Sequence, residues 1–323
     1  MAGFTETDWD TLIRQGQRGR LLPLVGDRFF WDQAGGYDDL IHAWADEMKY
    51  PGVQTDRAQL AHYLQIGASD PMAAREEYLD ALKGFLLYRA EAGEAISQAT
   101  LAEVEDRRHE MTVSELAREI GLEALIGDGL EAYRTLARLP VPIYITTGYH
   151  NFLEQALMEA GREPRSELCH WRDDMHLEPA SRSPADYSPD RPLVFHLFGL
   201  DSAPESLVFS EEDHLHFLTR LGLDPDIAPP VVRQAMTLSS LLLLGYNMAE
   251  WEFRVVYRGL ILGQSRRGRQ PNVATQLTPA AAKESDSERV KKFIEGYLES
   301  GSFSVYWGSD QELLSELRQR QGS

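Results

Sequence analysis

Cysteine is almost absent from this sequence: Cys169 is the only one among 323 residues. A single cysteine excludes an internal disulfide, and we predict a cytoplasmic protein kept in a reducing compartment. Long apolar runs are missing as well. The strongest run, Leu241 to Tyr246, is far shorter than a bilayer span, so we expect no membrane insertion. The N-terminus lacks the apolar segment of a signal peptide.

Basic residues are also scarce, with 32 Lys and Arg against 51 Asp and Glu, and the net charge is -19. Nucleic-acid affinity depends on Lys and Arg displacing counterions, so we expect the bulk of the surface not to bind nucleic acid. Arg266, Arg267 and Arg269 form one basic cluster. We interpret it as a solvated surface loop, with an anion or partner contact as the alternative.

Apolar runs of strand length alternate with helical periodicity along much of the chain. Continuous apolar segments predict strands at residues 21–25, 141–147, 193–197, 241–244, 273–277 and 302–307. Apolar spacings of three and four predict helices at 8–17, 151–160, 210–221, 230–239, 250–262, 287–298 and 311–319. Buried strands that alternate with helices are typical of a parallel sheet. We therefore predict an α/β, Rossmann-like fold with a mainly parallel sheet and helices on both faces.

Helical spacing continues almost unbroken between the first two predicted strands. We predict an inserted helical lobe at residues 37–138 of a single domain spanning 1–323, with an accessory strand–helix segment at 264–323. Residues 173–191, rich in Ser, Pro and Asp, are predicted to form a long loop that could be part of a lid. We expect Thr7 or Asp8 to cap the first helix. We expect Ser210, with Asp213 three positions after it, to cap the helix at 210–221.

Small or polar residues follow each of the four main strands, at Gly26, Thr147-Gly148, Gly199 and Gly245. Ligands of parallel sheets bind beyond the carboxyl ends of the strands, where the connections diverge. Glycine lets a backbone approach a ligand closely, and free N–H groups at a helix start can bind phosphate. The sequence therefore predicts a dinucleotide pocket at these strand ends.

Four sequence blocks, in this order, resemble those of the SIR2-like (sirtuin-type) family, particularly its bacterial branch associated with anti-phage defence. They are LPLVGD at residues 22–27, ITTGYHNFLE at 145–154, VFHLFG at 194–199 with ESLVFSEED at 205–213, and LLLGYNMAEWEFR at 242–254. The blocks span about three quarters of the chain. The resemblance implies an NAD-binding core and, in the defence branch, cleavage of NAD to nicotinamide and ADP-ribose.

The resemblance also implies which residues form the site. The nucleotide-binding set is Gly26, Asp27, Thr146, Thr147, Gly148, Gly199, Gly245, Tyr246 and Asn247, and the catalytic set is His150, His196 and Asn151. This chain departs from the family pattern at four points: Asp27-Arg28 replaces a small residue and a second glycine in the first loop, Gly148 replaces an Asn, His150 an Asp, and Phe198 a His. His196 lies two residues before Phe198, on the same face of the strand, and could partly replace the missing imidazole.

Several of these residues have simpler interpretations. His196 fits a core histidine as well as a site residue, and Asn151 fits a helix cap. Tyr246 and Trp251 fit either core packing or the walls of an adenine pocket. We predict no metal. His214 and His216 are two apart on a helix and do not share a face, whereas the cluster of His170, Asp173, Asp174 and His176 lacks a recognised ligand spacing.

Two functions remain open at this point. The first is an NAD hydrolase that acts as a defence effector and stays inactive until a sensor, a partner or assembly activates it. The second is a catalytically degenerate module that binds a nucleotide or serves as a scaffold in a defence complex. Protein deacylation is disfavoured because the Cys-x-x-Cys pairs of zinc-containing deacylases are missing. We expect a homo-oligomer, with an ATPase or sensor as a possible partner.

Overall fold

The computed structural model describes residues 4–52, 56–68, 70–93, 96–173, 175, 186–224, 227–262, 271–277 and 284–321. Its strands are β1 (Leu21–Val25), β2 (Ile143–Thr146), β3 (Arg165–Leu168), β4 (Leu193–His196), β5 (Ser240–Leu244), β6 (Asn272–Gln276) and β7 (Phe303–Trp307). Among the described residues, no helix is both long enough and apolar enough to cross a membrane.

Fifteen α-helices lie in the described parts of the chain. They are α1 (Glu6–Gln17), α2 (Arg28–Trp31), α3 (Tyr37–Glu47), α4 (Arg57–Gly67), α5 (Pro71–Ala92), α6 (Gln98–Arg107), α7 (Val113–Ile120), α8 (Leu122–Ile126), α9 (Leu130–Arg138), α10 (Phe152–Glu159), α11 (Glu211–Leu223), α12 (Pro230–Leu238), α13 (Trp251–Val255), α14 (Glu284–Glu299) and α15 (Asp310–Gln321).

The described strands form one seven-stranded sheet in the order β3-β4-β2-β1-β5-β6-β7, and every neighbouring pair is parallel. All residues of β1, β2, β4, β5 and β6 are buried, which requires cover on both faces of the sheet. The predicted α/β, Rossmann-like fold with a parallel sheet is thus confirmed.

Strand β1 lies at the centre of the sheet although it contains a proline. Pro23 has no N–H to donate and would normally be excluded from a central strand. Pairing with β5 runs along the whole of β1, whereas pairing with β2 begins only after Pro23, at Leu24 and Val25. The proline is accommodated because one flank of β1 is paired only at its carboxyl end.

The structure corrects several details of the sequence prediction. Strand β3 was not predicted, because its residues RSEL form a polar, half-buried edge strand. Thr5, not Thr7 or Asp8, caps α1 and forms a reciprocal capping box with Asp8. The predicted helix at 250–262 is α-helical only to Val255 and continues as a π-helix over Val256–Ile261.

The described elements between residues 37 and 138 are all helices, and the division of the chain into a domain with an inserted lobe and an accessory segment stays a prediction. The basic cluster at Arg266, Arg267 and Arg269 lies outside the described residues. So does most of the predicted lid at 173–191, including Asp174 and His176.

The predicted cap at Ser210 is confirmed and offers a direct test of local stability. The Ser210 hydroxyl accepts from the Asp213 N–H at 3.2 Å, and Asp213 Oδ2 accepts from the Ser210 N–H at 3.1 Å. We expect Ser210→Ala to lower the free energy of unfolding by about 1 kcal/mol in urea denaturation. Thr219→Ala, on an exposed position of the same helix, is the control. Equal losses in the two variants would contradict this role for the cap.

Candidate functional site

The carboxyl ends of the three central strands meet at one place. Strand β1 has β2 on one side and β5 on the other, so the connections diverge there, as at the ligand crevice of open α/β sheets. The N–H of Gly26 donates to the Leu244 carbonyl at 2.8 Å, and the N–H of Thr147 to the Val25 carbonyl at 3.0 Å. We call the region bounded by residues 26–27, 147–150 and 245–246 the crevice.

Two of the predicted glycines serve a contact between loops. A Cβ added to Gly26 would lie 2.1 Å from the carbonyl oxygen of Gly245. Gly245 has a φ of +71°, and a Cβ there would lie 2.4 Å from the Phe29 nitrogen. Close backbone approach was predicted at both positions, but here the approaching group is the neighbouring loop of the protein itself.

A buried ionic cluster occupies the crevice. Arg57, the first residue of α4, places its Nη1 2.7 Å from Asp27 Oδ2 and its Nη2 3.6 Å from Glu252 Oε2. All three side chains are at most 4% exposed. The Asp27 N–H donates to Glu252 Oε1 at 3.1 Å, and the Trp31 indole N–H donates to Asp27 Oδ1 at 3.0 Å. We call Asp27, Arg57 and Glu252 the crevice triad.

Burial governs the ionisation of the triad. It raises the pKa of Asp27 to about 6, with Arg57 opposing the rise. It raises the pKa of Glu252 to about 7, again against Arg57. The pKa of Arg57 itself stays well above its ordinary value because nearby tyrosines and Asp27 outweigh its desolvation. Both carboxyl groups therefore titrate close to neutral pH, which is common for groups at functional sites.

The predicted Thr147 and Tyr246 both join this cluster. The Thr147 hydroxyl donates to Glu252 Oε1 and hydrogen-bonds with the Tyr246 hydroxyl at 3.2 Å. Thr146 plays a local part, since its Oγ1 accepts from the Gly148 N–H at 3.1 Å. Thr147, after β2, is thus bonded directly to Tyr246, after β5, and Glu252 connects it to Asp27, after β1.

His150 lies beside the cluster without belonging to it. Its ring stacks on Phe152 with centroids 3.8 Å apart, and its Nε2 is 3.7 Å from Asp27 Oδ1, too far for a hydrogen bond. Neither ring nitrogen has a hydrogen-bond partner in the described part of the chain. Burial, with a smaller effect of His196, lowers the pKa of His150 to about 3, so its imidazole is neutral. A Cβ on Gly148 would lie 3.1 Å from this ring.

The second predicted histidine, His196, has a carboxylate partner. Its Nε2 lies 2.6 Å from Glu154 Oε1, which also accepts from the Ser166 hydroxyl at 2.7 Å. His196 is fully buried, and its Nδ1 has no partner among the described residues. This environment agrees with both interpretations of His196, since a paired buried histidine can serve the core or the site.

Three further predicted residues, like the two histidines, make their contacts outside the cluster. Asn151 stands at the N-cap of α10, but its side chain makes no capping bond and accepts from Gln155 Nε2 at 2.7 Å. Gly199, with a φ of +92°, packs against the backbone of Ser206. Asn247 is exposed, and its Oδ1 accepts from the Ala249 N–H at 3.0 Å.

Arg57 and Glu252 were missed by the sequence reasoning. Glu252 lies inside the block at 242–254, and its position five residues after Asn247 could have drawn attention to it. Arg57 has no such signal, because it is 30 residues from Asp27 in a helical region. Among the residues the structure describes, no group of three or more His, Cys, Asp or Glu is placed to hold a metal ion.

Part of the chain matches a known protein family. Residues 142–299, from the start of β2 to the end of α14, match the family model described as a SIR2-like domain. No curated protein matches the chain in sequence. The family match supports the SIR2-like family and with it an NAD-related function in general terms. It includes the blocks around His150, His196 and Gly245, and it leaves out Gly26 and Asp27.

Proposed function

We propose that this protein binds NAD in the crevice and hydrolyses it to nicotinamide and ADP-ribose, as an effector of anti-phage defence. The observation that supports this most directly is the convergence of buried Asp27 and Glu252 with the unpartnered imidazole of His150 at the ends of three parallel strands. This chemistry rests on the SIR2-like match for the choice of NAD.

The charges of the triad suit the reaction. Breaking the bond between nicotinamide and ribose releases neutral nicotinamide and leaves positive charge on the ribose. Buried carboxylates stabilise such a developing cation. Water then adds to the ribose carbon and gives up a proton, and Glu252, whose pKa is raised by burial, is suited to accept it. His150 and His196 are proposed to bind the ribose hydroxyls or orient this water.

The triad also explains why such an effector would be inactive before it is activated. Arg57 neutralises the two carboxylates and stacks over the Tyr149 ring at 4.8 Å, so the crevice is closed by the chain's own side chains. NAD binding would require α4 to withdraw Arg57. We propose that oligomer assembly or a partner, such as an ATPase or sensor subunit, provides this movement.

A degenerate nucleotide-binding or scaffold subunit is the second candidate. It is favoured by the same filling of the crevice, together with Gly148 and Phe198 at positions where the resemblance implies Asn and His. In this case Arg57 would be a permanent replacement for a ligand.

A time course of nicotinamide release from NAD separates the two functions. We expect release by the assembled protein, and a loss of about 100-fold in His150→Ala and His196→Ala, the scale of a positioned proton-transfer or orienting group. His216→Ala, on the exposed face of α11, controls for histidine loss, and thermal melts of all variants control for folding. An assembled protein that binds NAD without releasing nicotinamide would instead support the scaffold function. So would unchanged NAD levels and toxicity in cells that express the His150→Ala, His196→Ala variant.

A further inference from the structure

A second concave site lies in the helical region, between α3 and α5. It is a groove of about 650 Å³, within the size range of pockets that bind ligands or peptide side chains. Leu40, Trp44 and Phe85 contribute its apolar floor, and Tyr88, 63% exposed, stands at its edge. We call it the lobe groove. None of the residues assigned to the crevice lines it.

Unpaired carboxylates rim the lobe groove. Asp39, Glu47 and Glu77 are exposed and form no ion pair with any residue the structure describes. Asp80, deeper in the groove, differs because it pairs with Arg108 at 2.5 Å. Against the single guanidinium of Arg89, which also lines the groove, these three carboxylates leave a net negative charge around the apolar floor, and this charge favours a cationic ligand.

The groove also contains hydrogen-bond donors without acceptors. Trp44 is only 2% exposed, and its indole N–H has no acceptor within the described part of the chain. The buried Nε–H of Arg89, at the same groove, lacks one too. A buried donor left without a partner costs about 1–3 kcal/mol. A ligand that rearranges these side chains and supplies acceptors would remove this cost.

We propose that the lobe groove docks a basic peptide segment of a partner protein. An apolar side chain of the segment packs against Trp44 and Phe85, and its Lys or Arg side chains pair with the rim carboxylates. Both side chains must turn toward the segment before its backbone carbonyls can accept from Trp44 and Arg89. Apolar anchors surrounded by charged pairs are the usual composition of a peptide-binding groove.

The groove is connected to the crevice by two contacts. The Phe85 ring meets the Trp31 ring edge-on, with centroids 6.2 Å apart, and the Trp31 indole donates to Asp27 at 3.0 Å. A segment bound on Phe85 is therefore connected, through the Phe85 and Trp31 rings, to Asp27 of the triad. Docking stands on the groove alone, whereas an effect of docking on NAD cleavage rests on the proposed function.

Fluorescence anisotropy with the full-length chain tests the docking. The probe is a labelled synthetic peptide of about 12 residues that alternates Arg and Leu, long enough to extend beyond a groove of this size, and an alternating Glu and Leu peptide is its negative counterpart. We expect saturable binding of the basic probe at about 0.15 M ionic strength. The rim variant Asp39→Asn, Glu47→Gln, Glu77→Gln should bind it at least about tenfold more weakly.

A matched control separates the groove from the general negative field. The variant Glu159→Gln, Glu212→Gln, Glu299→Gln changes the net charge by the same amount at exposed sites outside the groove, and we expect it to bind like wild type. Equal weakening in the two triple variants would overturn the proposal. Ala43→Trp, which fills the groove and keeps its charges, should also abolish binding, and unchanged binding there would overturn the proposal too.

Nicotinamide release measured in the same samples keeps the two hypotheses apart. Probe binding that raises release in wild type, but not in the rim variant, supports coupling of the groove to the crevice. Binding without any change in release overturns the coupling and leaves the docking site in place. Loss of release with intact probe binding in the His150→Ala variant would assign the failure to the crevice alone.

Discussion

Replacing Arg57 by Ala is expected to lower the free energy of unfolding by about 3–5 kcal/mol at pH 8. The substitution leaves Asp27 and Glu252 buried at 1% and 4% exposure without their cation, and uncompensated buried charge is among the costliest changes in a protein core. Chemical denaturation of wild type and variant measures the loss. Arg289→Ala, which removes an exposed ion pair at 84% exposure, should change stability by less than about 0.5 kcal/mol.

The loss should depend on pH in a defined direction. Arg57 lowers the pKa of both carboxyl groups against the effect of burial, so its removal raises both further. Groups with a raised folded-state pKa stabilise the fold when protonated, and that contribution disappears as pH rises through the folded pKa. The difference between wild type and Arg57→Ala is therefore expected to be largest above pH 7 and to shrink toward pH 4. A loss that is independent of pH would contradict the electrostatic origin.

Removing all three charges gives a sharper test. The variant Arg57→Met, Asp27→Asn, Glu252→Gln eliminates the buried ions together, and neutral replacement of a buried ion cluster is often close to neutral in stability. We expect it to recover most of the loss seen in Arg57→Ala. If it were as unstable as Arg57→Ala, packing of the Arg57 side chain over Tyr149 would explain the loss better than charge.

His150→Phe is expected to make the fold more stable than wild type in acid, and this second large effect is absent at alkaline pH. The folded pKa of His150 is about 3, well below the ordinary 6.5, because the ring is buried. Between these values the unfolded chain binds a proton that the folded protein does not, so wild type loses stability as pH falls from about 6.5. By pH 4 this loss of stability reaches about 3 kcal/mol, because each pH unit below 6.5 costs about 1.36 kcal/mol.

Phe cannot take up a proton, so the variant should avoid this loss and retain the stacking on Phe152. As the pH is lowered from 8 to 4, we expect the free energy of unfolding of His150→Phe to rise by about 3 kcal/mol relative to that of wild type. Urea denaturation at both pH values measures this change. His109→Phe, at an exposed side chain, controls for the loss of one histidine. An identical gain in that control would rule out burial of His150 as the cause.

The fold could be predicted from the sequence because its central strands are continuous apolar runs. Segments such as LLPLV and SLLLL are buried over their whole length, and they are too short for a buried helix. Strand β3 could not be found in this way. It is a short edge strand in which Arg165 and Glu167 face partly into solvent, so its sequence has no apolar pattern.

The site was predictable only where it follows a strand. Asp27, Thr147, His150 and Tyr246 lie just after strand ends, where position alone makes them candidates. Arg57 reaches the crevice from a helix that tertiary packing places there, and nothing in its neighbouring sequence indicates this contact. Equally, the sequence shows that Gly26 and Gly245 need close approach, but not that each approaches the other.

The long connection between β1 and β2 has a consequence for how the chain folds. β1 ends at Val25 and β2 begins at Ile143, so 117 residues (26 to 142) separate two strands that lie side by side. Closing so long a loop is entropically costly, and sheets built from distant segments fold slowly. The helices α3 to α9 consist of local contacts that can form early and shorten this search. In such an order of events the central pairing of the sheet, and with it the meeting of Arg57 and Glu252, is completed late.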